Sequence, residues 1–147
     1  MSQNPARDLD EALQRMQLEE LPGRFALVGF PEPPEAADLA LLEGAPGQLV
    51  REGGETTLLL ARERLPDLLA RRPSASVESD LAWIRFTAPM GWEVVGFLAR
   101  VTGSLAAAGV PLGAVCGFSR DHLFVHERHL EATREVLAHL FPAAPPE

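Results

Sequence analysis

The sequence predicts an α+β protein of two modules, each a βαββαβ unit with an antiparallel sheet and its helices on one face. Three observations predict it. A strand–helix–strand–strand–helix pattern runs twice along the 147 residues. Each pass contains two strand-like segments joined by a short turn, and each closes on an amphipathic helical stripe. Alternating crossovers of this order give an antiparallel sheet backed by helices, and the length suffices for two very small units sharing a core.

The elements follow in order. Asp8 to Leu18 sets Leu9, Leu13 and Met16 or Gln17 at helical spacing, so an N-terminal helical extension is expected over residues 1–20, ended by Leu21-Pro22-Gly23. The first module is expected over 21–80. Its apolar run Phe25–Phe30 reads as a strand, ended by Pro31, Pro33 and Pro34, which lack a backbone donor. Glu35 to Leu42 can form two helical turns. Gln48–Arg51 and Thr56–Ala61 flank Gly53-Gly54, a pair suited to the positive φ of a tight hairpin. Arg64–Arg71 forms a short helix stopped by Pro73, and polar Ser74–Asp80, with a possible strand at Ser76–Glu78, is the expected junction.

The second module is expected over 81–141. Leu81–Ala88 alternates, with Ile84 and Phe86 on one face and Trp83, Arg85 and Thr87 on the other. Pro89-Met90-Gly91 is a turn. Apolar side chains at 94, 95, 97, 98, 101, 105 and 108 make a helical stripe over Trp92–Ala108, stopped by Gly109 and Pro111. Leu112–Phe118 and His122–His126 read as strands joined at Ser119-Arg120. Leu130–Leu140 is a last helix, and a fraying tail is expected at 142–147. The final strand of this second unit is missing, which leaves a strand of the first half to supply it.

Composition narrows the function. The net charge of −8, with arginines scattered along the chain, argues against a nucleic-acid partner. No apolar run approaches the roughly 20 residues of a membrane span and nothing resembles a signal peptide, so no membrane partner is expected. The single cysteine, Cys116, precludes an internal disulfide and suits a reducing cytoplasm. All the cationic side chains are arginine, which reads as codon bias.

The run Gly96-Phe-Leu-Ala-Arg-Val-Thr-Gly-Ser-Leu-Ala-Ala-Ala-Gly-Val110, continuing through Gly117-Phe118 to Asp121 and Val125, resembles the helix, turn and strand of the ACT-domain family. Within that family it is similar to the small tandem-ACT proteins related to the CASTOR arginine sensors. Glu127–Leu137 matches that group's final helix, and Leu21–Leu27 with the hairpin at 47–61 fits its first module. The resemblance covers most of residues 21–141 and is strongest over 81–137. It implies ferredoxin-like ACT modules, a homodimer, and a non-catalytic, regulatory protein that binds an amino acid or similar small polar metabolite. No catalytic domain is expected beyond the second module.

A free amino acid needs backbone N–H donors for its carboxylate, best at a helix N-terminus, and a carboxylate or carbonyls for its ammonium. Met90, Gly91 and Trp92, feeding a helix at Val94, are the expected donors, with Gly91 allowing close approach. Glu93 stands in the expected first turn, where its own charge opposes an anionic ligand. By resemblance, Gly117, Phe118 and Asp121 match the family's "T-F-x-x-D" segment at the pocket, although Ser119 replaces its first aspartate and Gly117 its threonine. A second reading stays open: Gly91 makes only a turn, Asp121 only caps the hairpin, and the protein is a structural or interaction module with a vestigial pocket.

Other chemistry finds less support. There is no phosphate-binding or dinucleotide glycine motif, no nucleophile elbow and no paired carboxylates, so neither cofactor nor enzyme activity is expected. Cys116 shares a face with Leu112, Ala114 and Phe118 and is expected as a buried core thiol. His122 and His126 would stand ~13 Å apart along a strand, too far for one tetrahedral ion. With His129 they are expected as surface histidines, and no metal site is expected.

Overall fold

The computed structural model describes residues 4–141. The tail expected at 142–147 lies outside them. The chain divides into two compact units. Pro22–Leu81 form one; residues up to Leu21 and those from Ala82 onward form the other.

The unit Pro22–Leu81 holds β2 (Phe25–Phe30), α2 (Ala36–Ala40), β3 (Gln48–Glu52), β4 (Glu55–Ala61), α3 (Leu65–Arg71) and the first part of β5 (Ser76–Phe86). The strand order is β3-β4-β2-β5, with all three pairings antiparallel. Its core is Ala26, Val28, Phe30, Leu58, Leu60 and Leu68. These are alternate residues of β2 and β4 under one α3 side chain, as the period-2 pattern requires. Gly54 turns the β3–β4 hairpin at φ +86°, a conformation costly for any residue with a Cβ. The expected junction at Ser74–Asp80 holds the possible strand at Ser76–Glu78, and the boundary between the units falls just after it, at Leu81. Its residues from Ser76 pair with β2, and the strand runs unbroken into Leu81–Phe86. Asp80 takes φ +59° there, held by an ion pair to Arg62 at 2.6 Å.

Asp38 ties this unit's helices together. It is wholly buried, and its carboxylate accepts from Arg71 at 2.5 Å, Arg72 at 2.9 Å and the Glu35 amide at 2.7 Å. Arg72 also stacks on the Phe30 ring at 4.4 Å. The start of α2 is thereby fastened to the end of α3.

The other unit holds α1 (Leu9–Arg15), β1 (Leu18–Glu20), the later part of β5, α4 (Phe97–Ala107), β6 (Gly113–Cys116), β7 (Asp121–His126) and α5 (Leu130–Leu140). Its strand order is β1-β5-β7-β6. The expected helix to Leu18 ends at Arg15, and Leu18–Glu20 is a strand antiparallel to Ile84–Phe86. So the missing fourth strand comes from the segment expected as a helical extension, not from the first half's strands. Two arginines hold it. Arg85 donates to Glu19 at 2.7 and 3.1 Å, and Arg134 grips both oxygens of Glu20 at 2.7 and 3.0 Å. The Arg134–Glu20 pair is bidentate, the strong form of surface ion pair, whereas both Arg85 bonds share one Glu19 oxygen.

Ile84, Phe86, Leu123 and Val125 of the sheet meet Phe97, Val101 and Leu105 of α4, Leu130 and Leu137 of α5, and Ala12 and Met16 of the N-terminal segment. Phe86, Phe97 and Phe141 stack at 5.1–5.9 Å between centroids. Gly109 ends α4 at φ +73°. No helix among the described residues is long and apolar enough to cross a membrane.

Two consequences of the Asp38 cluster can be measured. Asp38→Ala removes the buried partner of both arginines but leaves Arg71 paired to Glu35 at 3.1 Å and Arg72 near Glu35 and Glu32, so it should cost about 1–3 kcal/mol in urea unfolding. Burial pushes the Asp38 carboxyl up, but hydrogen bonds from Arg72, the Glu35 amide and Arg71 outweigh it and hold the pKa below its ordinary value. The unfolded chain therefore takes up this proton at higher pH than the fold does. The contribution is complete above the unfolded value of about 3.9 and drains away as pH falls through the lower folded one. Asp38→Asn should remove that slope.

Candidate functional site

Residues 87–96 connect β5 to α4, and 117–120 connect β6 to β7, both in the unit containing the N-terminal segment. Arg120 lies near the start of the first connection, with Nε donating to the Thr87 carbonyl at 3.3 Å.

The helix expected from Trp92 begins at Phe97, with Gly96 as its cap at φ +92°. Met90, Gly91, Trp92, Glu93 and Val94 therefore precede the helix rather than form its first turn. A side chain at Gly96 in that conformation would be strained, so the glycine sets where the helix can start. Val94 N–H closes a turn on the Gly91 carbonyl at 3.2 Å. Trp92 and Val95, expected on or beside the stripe, are 96% and 82% exposed. The Glu93 carboxylate folds back over Gly91, so that a Cβ there would meet it at 2.7–2.8 Å.

The amide of Gly91, expected as a donor for a ligand carboxylate, is already engaged. It donates to the Ala6 carbonyl at 2.8 Å, while Ala6 N–H donates to the Pro89 carbonyl at 3.0 Å. Ala6 and Met90 form an isolated parallel bridge, and Ala6 is 1% exposed. Sequence reasoning missed this partner because no periodicity marks a lone bridging residue among Asn4-Pro5-Ala6-Arg7.

Across the β6–β7 ladder Cys116 faces Asp121 and Val115 faces His122. Gly117 N–H donates to the Arg120 carbonyl at 2.8 Å and tightens the turn, leaving Phe118 fully exposed. Asp121 is half-buried, and burial pushes its carboxyl pKa up. Its carboxylate has no hydrogen bond or ion pair among the described residues. The expectation of a buried Cys116 is overturned: the thiol is exposed. It shares the face of Leu123, but β6 is the last strand of its sheet, and Ala114 beside it is exposed too.

His122 is likewise not a surface histidine. It lies on the other face with Trp83 and Phe124, and Trp83 Nε1 donates to its Nδ1 at 3.0 Å. An imidazole that accepts at Nδ1 is neutral and carries its proton on Nε2. Among the described residues no three His, Cys, Asp or Glu side chains gather as a metal site would require.

Both corrections lead to measurements. An aromatic disulfide reagent should label Cys116 in the native protein nearly as fast as in the unfolded chain; labelling only on unfolding would contradict the exposed position. Burial, then repulsion from Arg85 and Arg120, holds the His122 pKa below its ordinary value. The unfolded chain thus binds this proton first, near pH 6.5, and stability falls as pH drops from there to the folded value. His122→Gln should flatten that slope in urea titrations as pH is lowered from about 7.

The profile described as the ACT domain matches residues 76–139. No curated protein matches the sequence. A crystal structure of an Agrobacterium tumefaciens protein is similar at 23% identity and a TM-score of 0.71, covering 86% of this chain and 89% of that one. A Vibrio cholerae protein described as a possible transport protein is similar at 24% identity and a TM-score of 0.65, covering 87% and 91%. The regulatory subunit of aspartate kinase from Thermus thermophilus is similar at 12% identity and a TM-score of 0.63, covering 84% and 96%. With the antiparallel pairings described above, these similarities give the chain an ACT-like α+β fold.

Proposed function

We propose that this protein is a non-catalytic binding or regulatory protein whose ligand is an amino acid or similar small polar metabolite. On this reading the chain is a tandem of ferredoxin-like modules, as in the small proteins related to the CASTOR sensors, and works as a cytoplasmic homodimer. Met90, Gly91, Trp92, Glu93, Val94, Gly117, Phe118 and Asp121 would contribute the site. The single observation that carries the proposal is Asp121: a half-buried carboxylate with no partner among the described residues, beside a turn in an ACT-like unit. Burying a carboxylate is costly unless a cation or donor compensates it, and an ammonium group is the compensation an amino acid brings. The regulatory subunit of an aspartate kinase shares the fold, which supports a regulatory role over a catalytic one.

One observation favours the second reading, an interaction module with a vestigial pocket. Ala6 already uses the Gly91 amide, and Glu93 places negative charge over the same glycine.

Thermal shift against the twenty amino acids separates the two. A ligand at about a hundred times its Kd stabilises the native state by about 2.7 kcal/mol, so at least one amino acid at millimolar concentration should raise the melting temperature. Asp121→Asn should weaken that ligand at least about tenfold, a loss of about 1.4 kcal/mol. A melting temperature indifferent to all twenty would leave the interaction module standing.

A further inference from the structure

We infer that the hydrogen bond between Trp83 and His122 is a proton-operated latch that holds the turn end of the β6–β7 hairpin to β5, and that protonating His122 releases the turn at 117–120. The device goes beyond the binding reading and holds whether or not the protein takes a ligand.

Geometry carries it. Two side-chain hydrogen bonds tie the turn end of the hairpin to β5 and the residue that follows it. One, from Arg120 Nε to the Thr87 carbonyl, is exposed and long at 3.3 Å. The other, from Trp83 Nε1 to His122 Nδ1, is part-buried at 3.0 Å, with the two rings edge-on at 5.5 Å. Within the turn, Gly117 N–H donates to the Arg120 carbonyl, and residues 117–120 are all exposed. The imidazole edge reaches that turn: its Nε2 lies 3.5 Å from where a Cβ on Gly117 would stand. Trp83 is 4% exposed, whereas His122 is only half-buried. The bond therefore joins a fixed member to a movable one.

The bond exists only while the imidazole is neutral, because Nδ1 is its acceptor. From β5 the ring faces Trp83 and Arg85, whose guanidinium is engaged by Glu19. From the turn it faces Arg120, and from β6 the uncharged Val115 and Gly117. On β7 it shares a face with Phe124, and with His126 ~13 Å along the strand. Asp121 and Cys116 belong to the opposite face. The charges that act on the ring are thus cations. A proton on Nδ1 turns the acceptor into a second donor aimed at the indole N–H, and adds positive charge beside Arg85 and Arg120. Relief comes from moving the half-buried ring and its exposed turn towards water. Burial and the two arginines hold the imidazole pKa below its ordinary value, so the latch is closed at neutral pH and opens on acidification.

The test follows the full chain by NMR as pH is lowered from about 7.5. The His122 ring protons read its protonation, the Trp83 indole N–H reads the latch, and the Gly117 amide reads the turn. The Trp92 indole, 96% exposed, is the control. As His122 titrates, the Trp83 signal should move with the same midpoint while that of Trp92 stays. Gly117 protection against hydrogen exchange should fall about three- to tenfold, the worth of one hydrogen bond. In His122→Gln, whose amide oxygen can accept at every pH, both changes should vanish. The latch is overturned if Trp83 and Gly117 stay unchanged while His122 protonates. It is overturned too if the Gly117 change survives in His122→Gln, which would assign it to Asp121, or if circular dichroism shows the whole fold lost at the same midpoint. Should His122→Gln not fold, Trp83→Phe removes the donor instead. Gly117 should then be as weakly protected at neutral pH as in acid, and a pH dependence like that of the wild type would overturn the latch equally.

Discussion

The pairing of Leu18–Glu20 with Ile84–Phe86 is the constraint on which one whole unit depends. Without β1, the inner half of β5 would present unpaired backbone along one edge, and exposed edges are places where sheets go wrong. The cost of holding so short a strand is met by side chains. Glu19 and Glu20 each receive two bonds from one arginine, Arg85 of the neighbouring strand on a single oxygen and Arg134 of α5 on both. Backbone bonds from Leu21 to Trp83 and from Thr87 to Gln17 extend the seam at both ends. Because β1 is pinned, α1 and the residues before it are drawn onto α4 and onto the connection that follows β5. The candidate site inherits its geometry from that placement.

Much of the fold was legible because burial is periodic. Val28, Leu58 and Leu60 alternate, Phe97, Val101 and Leu105 recur at helical spacing, and glycines at 54 and 109 mark turns that need positive φ. The parts that were not legible are decided by long-range partners. Leu18-Glu19-Glu20 has no strand character of its own; its strand state comes from backbone pairing with Ile84–Phe86, distant in sequence, and Arg85 and Arg134 reinforce it. The possible strand at Ser76–Glu78 is present, but that it continues unbroken to Phe86 was not legible, because polarity on an open strand face says nothing about backbone bonds. The start of α4 was misplaced because Val94 and Val95 fit the stripe, while the conformation of Gly96 sets the boundary.

The site shows the same division. Resemblance pointed to Asp121 and Gly117, and the structure finds them at the end of one hairpin, with Asp121 unpaired among the described residues. Alternation assigned Cys116 to the right face but not to the right depth. A face is buried only where helices cover it, and the outermost strand extends beyond them. His122 was misjudged for the complementary reason: its side of the sheet carries Trp83 and Phe124, whose rings shield it.

The interleaved order of the two units has a bearing on how the chain acquires its structure. Pro22–Leu81 is a continuous stretch, so it can close as soon as its own residues are available, without waiting for any part of the other unit. The other unit is split around it, and β1 must wait for β5 to exist before it has a partner. During synthesis the first residues therefore remain without their sheet until the intervening unit has emerged, and their apolar Leu9, Leu13 and Met16 are then the surfaces at greatest risk of wrong association.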